Sequence, residues 1–207
     1  PSSKSLTDID VVLFDIQDVG VRFYTYISTL HYVMEACAKK NIPMIILDRD
    51  NLNSNFIDGP VLNKKYSSFV GMHEVPVLYG MTIGEYALMI NGENWLSDSL
   101  KCDLNIIKLK SRSLFNINDS ILLFPPSPNL KTNLAIKLYP TLCFFEGSVL
   151  SVGRGTDIPF QIIGSPLIKS NMIEGLINHN DKCLNLQNYS FKPLSRNLIN
   201  VDMVVQN

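Results

Sequence analysis

Two carboxylates open the chemistry of this chain. Asp15 and Asp18 follow the apolar run 11–14, with Gln17 between them and Arg22, Tyr24 and Tyr26 close behind. Carboxyl groups so spaced suit acid/base work or hydrogen bonding to ligand hydroxyls. Asp equally serves strand ends and turns, where it accepts backbone amides. Arg22 suits a forked bond to a ligand carboxylate, or an ion pair with Asp18. Tyr24 and Tyr26 offer faces for stacking on a sugar ring, and Tyr26, at a helix start, also suits a partly buried position.

The pattern recurs at Asp48, Arg49, Asp50 and Asn51, which follow the apolar run 44–47. Position makes Asp48 and Arg49 candidates too, with local roles as the alternative. Glu146 ends a third apolar run and precedes a segment rich in Gly and Ser that closes in Gly153-Arg-Gly-Thr156. Such a turn exposes backbone amides, and Arg154 adds charge, as an anion site would need. Glu85 is accounted for by the capping box Thr82-Ile-Gly-Glu85.

These residues need elements to hold them. The run 11–14 reads as a strand buried on both faces. Residues 25–40 read as a helix, with Ile27, Leu30, Val33, Met34 and Cys37 at helical spacing, Lys39 and Lys40 in the last turn and Asn41 as C-cap. Residues 44–47 read as a second strand, completing a βαβ unit. A short strand is expected at 76–79, a helix at 86–91 stopped by Gly92, a third parallel strand at 104–109 and an apolar run at 121–124 that leads into a Pro-rich turn. In open α/β sheets, ligands bind beyond the carboxyl ends of the strands, where Asp15 and Asp48 fall. Beyond about residue 170 apolar periodicity weakens and Asn becomes frequent.

Composition narrows the classes. The chain has 207 residues, 46% hydrophobic and 18% charged, with a net charge of −1. That describes a folded protein with a sizeable core and without the basic stripe that nucleic-acid binding requires. No apolar run reaches the length of a membrane span. The four Cys, at 37, 102, 143 and 183, form no CxxC pair and lie away from His31, His73 and His179, which argues against a zinc site. Cys37, Cys102 and Cys143 sit in apolar contexts, as small buried hydrophobes do. No P-loop, dinucleotide fingerprint or nucleophile elbow occurs. Carboxylates, Arg, amides and aromatics without a cofactor motif fit a polyhydroxylated, possibly anionic ligand, and glycoside hydrolysis needs only such groups.

Seven motifs in order carry a resemblance: Asp15-Ile-Gln-Asp-Val-Gly-Val-Arg-Phe-Tyr-Thr-Tyr26, Leu47-Asp-Arg-Asp-Asn51, Asp58-Gly-Pro60, Ser68-Phe-Val-Gly71, Tyr79-Gly-Met-Thr-Ile-Gly-Glu85, Pro126-Ser-Pro-Asn129 and Glu146-Gly-Ser-Val-Leu-Ser-Val-Gly-Arg-Gly-Thr156. They resemble the DUF1343 family, exo-β-N-acetylmuramidases of bacterial peptidoglycan recycling. The resemblance implies an α/β fold: a Rossmann-like parallel sheet with helices on both faces over residues 1–125, and a smaller α+β domain over 126–207, with substrate between. It implies release of terminal non-reducing N-acetylmuramic acid from peptidoglycan-derived muramyl saccharides, without metal or other cofactor, in the cell envelope or outside the cell. Asp15, Asp18 and Glu146 would be the catalytic candidates. Gln17, Arg22, Tyr24, Tyr26, Asp48, Arg49, Asn51, Ser127, Asn129, Arg154 and Thr156 would hold the substrate, with Arg22, Arg49 or Arg154 taking the lactyl carboxylate.

Two departures qualify this. Family members are nearly twice as long and carry an upstream Pro-Glu-His-Gly motif whose Glu is the leading catalytic candidate, and no Glu-His-Gly occurs here. Asp50 stands where the family pattern Asp-Arg-Pro-Asn has Pro. The expectation is a central portion of the enzyme, missing the first strands of its sheet. The alternatives are a non-catalytic muramyl-sugar-binding module or decayed gene fragment, or a structural domain with no sugar site.

Overall fold

The computed structural model describes residues 1–108, 125–168, 185–192 and 201–206. The chain divides into two compact units, Pro1–Asp119 and Ser120–Asn207.

The first unit is a Rossmann-like α/β arrangement, a parallel sheet flanked by helices. Strand β1 (Val12–Phe14) is followed by helix α1 (Tyr26–Lys40) and strand β2 (Met44–Asp48), and β2 pairs in parallel with both β1 and β5 (Leu104–Lys108). The sheet order β1-β2-β5 puts β2 in the centre. Two short strands, β3 (Ile57–Asp58) and β4 (Leu78–Tyr79), form a separate antiparallel pair.

Helix α1 ends as its sequence requires. Asn41 takes the left-handed conformation, at φ 53°, and its amide and that of Ile42 close the last turn on Ala38 and Cys37. Helix α2 (Ile83–Gly92) opens with both halves of the capping box formed between Thr82 and Glu85. Gly92 is the last helical residue rather than the stop; the left-handed turn comes two residues later, at Asn94.

Phe14, Met44 and Ile46 on one side of the sheet share a core with Ile27, Leu30 and Met34 of α1 and with Ile83, Tyr86 and Ile90 of α2. The opposite side differs from the expectation of two buried faces. Leu13 is 59% exposed and Ile107 50%, while Phe14, one residue along, is 3% exposed. Successive strand side chains point to opposite faces, and among the described residues only the Phe14 side is sealed. Cys37 and Cys102 are buried free thiols as expected, whereas Cys143 is half-buried.

In the second unit, helix α3 (Asn133–Leu142) escaped the sequence reading. Its signals are Thr132, whose Oγ1 accepts the Ala135 amide at 3.1 Å, and the buried spacing Ala135, Ile136, Tyr139, Leu142. Pro140 inside the helix disguises that pattern. The run 142–146 is the end of this helix and a 3-10 turn, Cys143–Gly147, with Phe144 62% exposed, not a buried segment leading to Glu146. Strands β6 (Asn185–Phe191) and β7 (Val201–Gln206) pair antiparallel in the Asn-rich tail, strands of the α+β region that the sequence reading had not located. Phe191 packs on Ile162 and Ile158. The expected run at 121–124, His179 and Cys183 lie outside the described residues.

Candidate functional site

The carboxyl ends of β1 and β2 carry the first constellation. Arg49 donates from Nε to Asp15 Oδ1 at 2.9 Å, and its Nη2 bonds the same oxygen. The pair bridges two adjacent strand ends, with the Asp15 side chain 40% exposed and that of Arg49 31%. Gln17 stitches the same edge, donating from Nε2 to the carbonyls of Asp18 at 2.9 Å and Asp50 at 3.1 Å.

Asp18 is not paired with Asp15. It is buried, and its Oδ2 accepts the Gly20 amide at 2.7 Å and the Tyr79 hydroxyl. Oδ1 has no hydrogen bond of ordinary geometry among the described residues. Burial pushes the carboxyl up from 3.8 to about 6, against the pull of the Tyr79 hydroxyl and the Gly20 and Val19 amides. Its role in the fold is to hold the turn after β1 against β4.

Among the described residues Arg22 is not ion-paired with Asp18. Its Nη1 donates to the carbonyls of Pro60 and Val75, each at 2.6 Å, and clamps the two ends of the long segment between β3 and β4. Burial lowers its pKa, partly offset by the Tyr86 phenol. Tyr24 and Tyr26 meet edge to face at 4.8 Å, both half-buried.

Asp48 and its neighbour Arg49 diverge. Asp48 turns inward and caps α2: Oδ2 accepts the Thr82 hydroxyl and Oδ1 the Gly84 amide, both at 2.9 Å. A Cβ on Gly84 would lie 2.8 Å from the Asp48 Cγ, so glycine is what lets the helix end approach. Asn51 accepts the Asn53 amide at 2.8 Å and donates to the Met81 carbonyl at 2.9 Å. Gly20, at φ +73°, packs against it; a Cβ there would fall 2.2 Å from Asn51 Oδ1.

Sequence reasoning missed a buried polar network behind this edge. His31 Nδ1 lies 2.9 Å from His73 Nε2, and His73 Nδ1 lies 3.0 Å from the Tyr86 hydroxyl. Trp95 stacks on His73 at 4.6 Å. The available signal was His31 on the apolar stripe of α1, one turn before Glu35.

The second unit has its own carboxylate–guanidinium pair. Arg154 forks onto Glu146, Nε to Oε1 and Nη2 to Oε2, the latter at 3.0 Å. The guanidinium lies over the Phe160 ring at 4.8 Å, and Tyr139 meets that ring edge-on at 4.9 Å. Glu146 raises the pKa of Arg154. Cys143 Sγ lies 3.6 Å from Glu146 Oε2. Thr156 closes its own turn, amide and hydroxyl both donating to the Gly153 carbonyl at 3.0 and 2.6 Å. Ser127 Oγ accepts the Asn129 amide at 3.2 Å, a local turn contact.

Of the candidates, Asp18, Asp48 and Asn51 are therefore buried in structural bonds, while Asp15 and Arg49 stand partly exposed as a pair at the strand ends. Among the described residues no group of three or more His, Cys, Asp or Glu side chains is placed to hold a metal ion. No described helix is long and apolar enough to cross a membrane.

Comparison with known proteins agrees along nearly the whole chain. Residues 1–134 match the family model described as exo-beta-N-acetylmuramidase NamZ, N-terminal, and residues 137–203 match its C-terminal counterpart. Peptidoglycan beta-N-acetylmuramidase NamZ of Bacillus subtilis (strain 168) is 44% identical over 181 residues, covering 86% of this chain and 43% of that protein. Crystal structures of two DUF1343 family proteins from Bacteroides fragilis NCTC 9343 cover all of this chain and 55% of their own, with TM-scores of 0.81 and 0.88 at 41% and 33% identity. The chain thus spans about half the length of the relatives it matches.

Proposed function

We propose, from the premise that this chain belongs to the NamZ exo-β-N-acetylmuramidase (DUF1343) family, that it acts in a glycoside hydrolase removing terminal non-reducing N-acetylmuramic acid from peptidoglycan fragments. The observation that carries the site is the Asp15–Arg49 pair at the carboxyl edge of the parallel sheet, where α/β folds bind ligands. Arg49 occupies one oxygen of Asp15, and among the described residues the other, Oδ2, is left to accept from a sugar hydroxyl or a water. The remaining guanidinium N–H groups of Arg49 suit the lactyl carboxylate that distinguishes muramic acid from glucosamine. Asp18, whose proton is held up to about pH 6, supports the turn that carries Asp15 and Gln17. Glu146, forked by Arg154, is the candidate carboxylate of the second unit. A peptidoglycan-derived substrate supports a cell-envelope setting for this chemistry.

The test is hydrolysis of a chromogenic N-acetylmuramide by the intact gene product. Release from the muramide, with the corresponding N-acetylglucosaminide untouched, is expected. Cleavage of the glucosaminide alone would overturn the substrate assignment.

A second reading, a non-catalytic muramyl-binding module, draws on the structural employment of Asp18 and Asp48. It expects heat on titration with muramyl saccharides but no turnover.

A further inference from the structure

The polar network behind the strand edge has a direction, fixed by proton counting alone. Glu35 is one turn along α1 from His31, with Oε2 3.5 Å from His31 Nε2. The Lys39 ammonium bonds Glu35 and, with the Ser97 contact and the charge of His31, lowers its pKa against partial burial. Glu35 is then a carboxylate and only accepts. Facing that carboxylate at 3.5 Å, His31 Nε2 is the nitrogen favoured to carry hydrogen, which leaves Nδ1 of the neutral ring as an acceptor. At 2.9 Å from it, His73 Nε2 must donate. His73 Nδ1 is then an acceptor in turn, and the Tyr86 hydroxyl at 3.0 Å donates to it.

We propose that Tyr86, His73, His31 and Glu35 form a one-directional hydrogen-bond relay that takes up a single proton by reversing, so that acid turns the Tyr86 hydroxyl from donor to acceptor. The neutral relay holds three labile protons, on Tyr86 Oη, His73 Nε2 and His31 Nε2. The acid form holds four. The added proton comes from solvent, His31 becomes an imidazolium with hydrogen on both nitrogens, and His73 moves its single hydrogen to Nδ1. Each inter-ring contact then still has one hydrogen between its two heavy atoms. A second proton would put two hydrogens face to face between the rings and break the contact.

The surroundings favour this order of events. From α1, Glu35 stabilises charge on His31, and Lys39 acts through Glu35. Burial lowers the pKa of both rings, that of His73 to about 3, since it lies under Trp95 and beside His31. From α2 comes Tyr86, and the charges its phenol feels are Asp18 and Arg22. Tyr79 lies edge-on to Tyr86 at 4.8 Å and bonds Asp18. The inner end of the relay therefore reaches the turn beneath the candidate site, while the outer end is the Glu35–Lys39 pair on the surface of α1. The inference is independent of the function proposed above.

Long-range proton–nitrogen spectra of the wild-type chain test it, with an H179Q variant identifying the third histidine. At about pH 8, above the ordinary histidine range, both His31 and His73 are expected as the Nε2–H tautomer. On acidification His31 should become imidazolium while His73 changes to the Nδ1–H tautomer at the same midpoint. An Nδ1–H tautomer of His73 at about pH 8, independent midpoints for the two rings, or both rings turning imidazolium together would each overturn the proposal.

Discussion

Arg49 reaches from the end of β2 to set both Nε and Nη2 on one oxygen, Oδ1, of Asp15 at the end of β1. Two residues 34 positions apart thereby become neighbours on one edge. Among the described residues the arrangement fixes the carboxylate through one oxygen only.

Replacing Asp15 with Asn should therefore weaken muramyl binding and leave the fold intact. A hydrogen bond to a charged group contributes about 1.5–3 kcal/mol, so affinity should fall about tenfold to a hundredfold. Partly exposed ion pairs add little stability, so the melting temperature should hardly move. Calorimetry beside thermal unfolding checks this, and unchanged affinity would remove Asp15 from the site.

Asp48 should show the reverse profile. It is buried and accepts two hydrogen bonds at the N-terminus of α2. Asp48→Ala strands both donors and should cost about 2–4 kcal/mol in urea unfolding. A loss below the precision of that measurement would mean that water replaces the cap.

Stability against pH should carry opposed contributions, those of His73 and Asp18 prominent among them. His73 is lowered to about 3 in the fold. Its contribution is complete above the unfolded value of about 6.5 and is lost as pH falls towards 3. Asp18 is raised to about 6. Its protonated form stabilises the fold below the unfolded value of about 3.8, and that stabilisation is lost as pH rises through 6. Between pH 4 and 6 the two offset each other. Asp18→Asn removes the second, so the variant should lose stability more steeply on acidification than the wild type. Denaturation midpoints measured across this range decide it, and parallel curves would count against the buried Asp18 carboxyl.

The open side of the sheet should govern self-association. Leu13 of β1, an edge strand among the described residues, is 59% exposed, and Val11 and Ile9 just before it are 46% and 41% exposed. Edge strands with apolar side chains invite pairing with other chains. Leu13→Lys should reduce light scattering of concentrated protein, at a stability change within about 0.5 kcal/mol. Scattering equal to that of the wild type would show that this face is not the adhesive one.

Much of the fold was legible because its determinants are local. The stripe Ile27, Leu30, Met34 and Cys37, the cap at Asn41 and the Thr82–Glu85 box act over three or four residues, within reach of a linear reading. Parallel strands also announced themselves by apolar runs ending in charge, which put Asp15 and Arg49 on one edge. Where a local signal was interrupted, as by Pro140 in α3, or weak, as in β6 and β7, the reading did not locate the element.

What the sequence alone determined, then, was which residues cluster at the strand ends and to which family they belong. Which of them face a ligand was decided by tertiary structure. Asp15 and Asp48 occupy equivalent places in the sequence pattern, yet the first meets Arg49 in partly open solvent and the second meets the Thr82 hydroxyl and Gly84 amide inside the core. The same holds for Asp18 with Tyr79, 61 residues away, and for His31 with His73, 42 away. Side-chain type fixes what a group can bond. Its partner depends on how the chain folds back across long separations, and a carboxylate in water and one buried against a helix end differ in nothing that the linear pattern records.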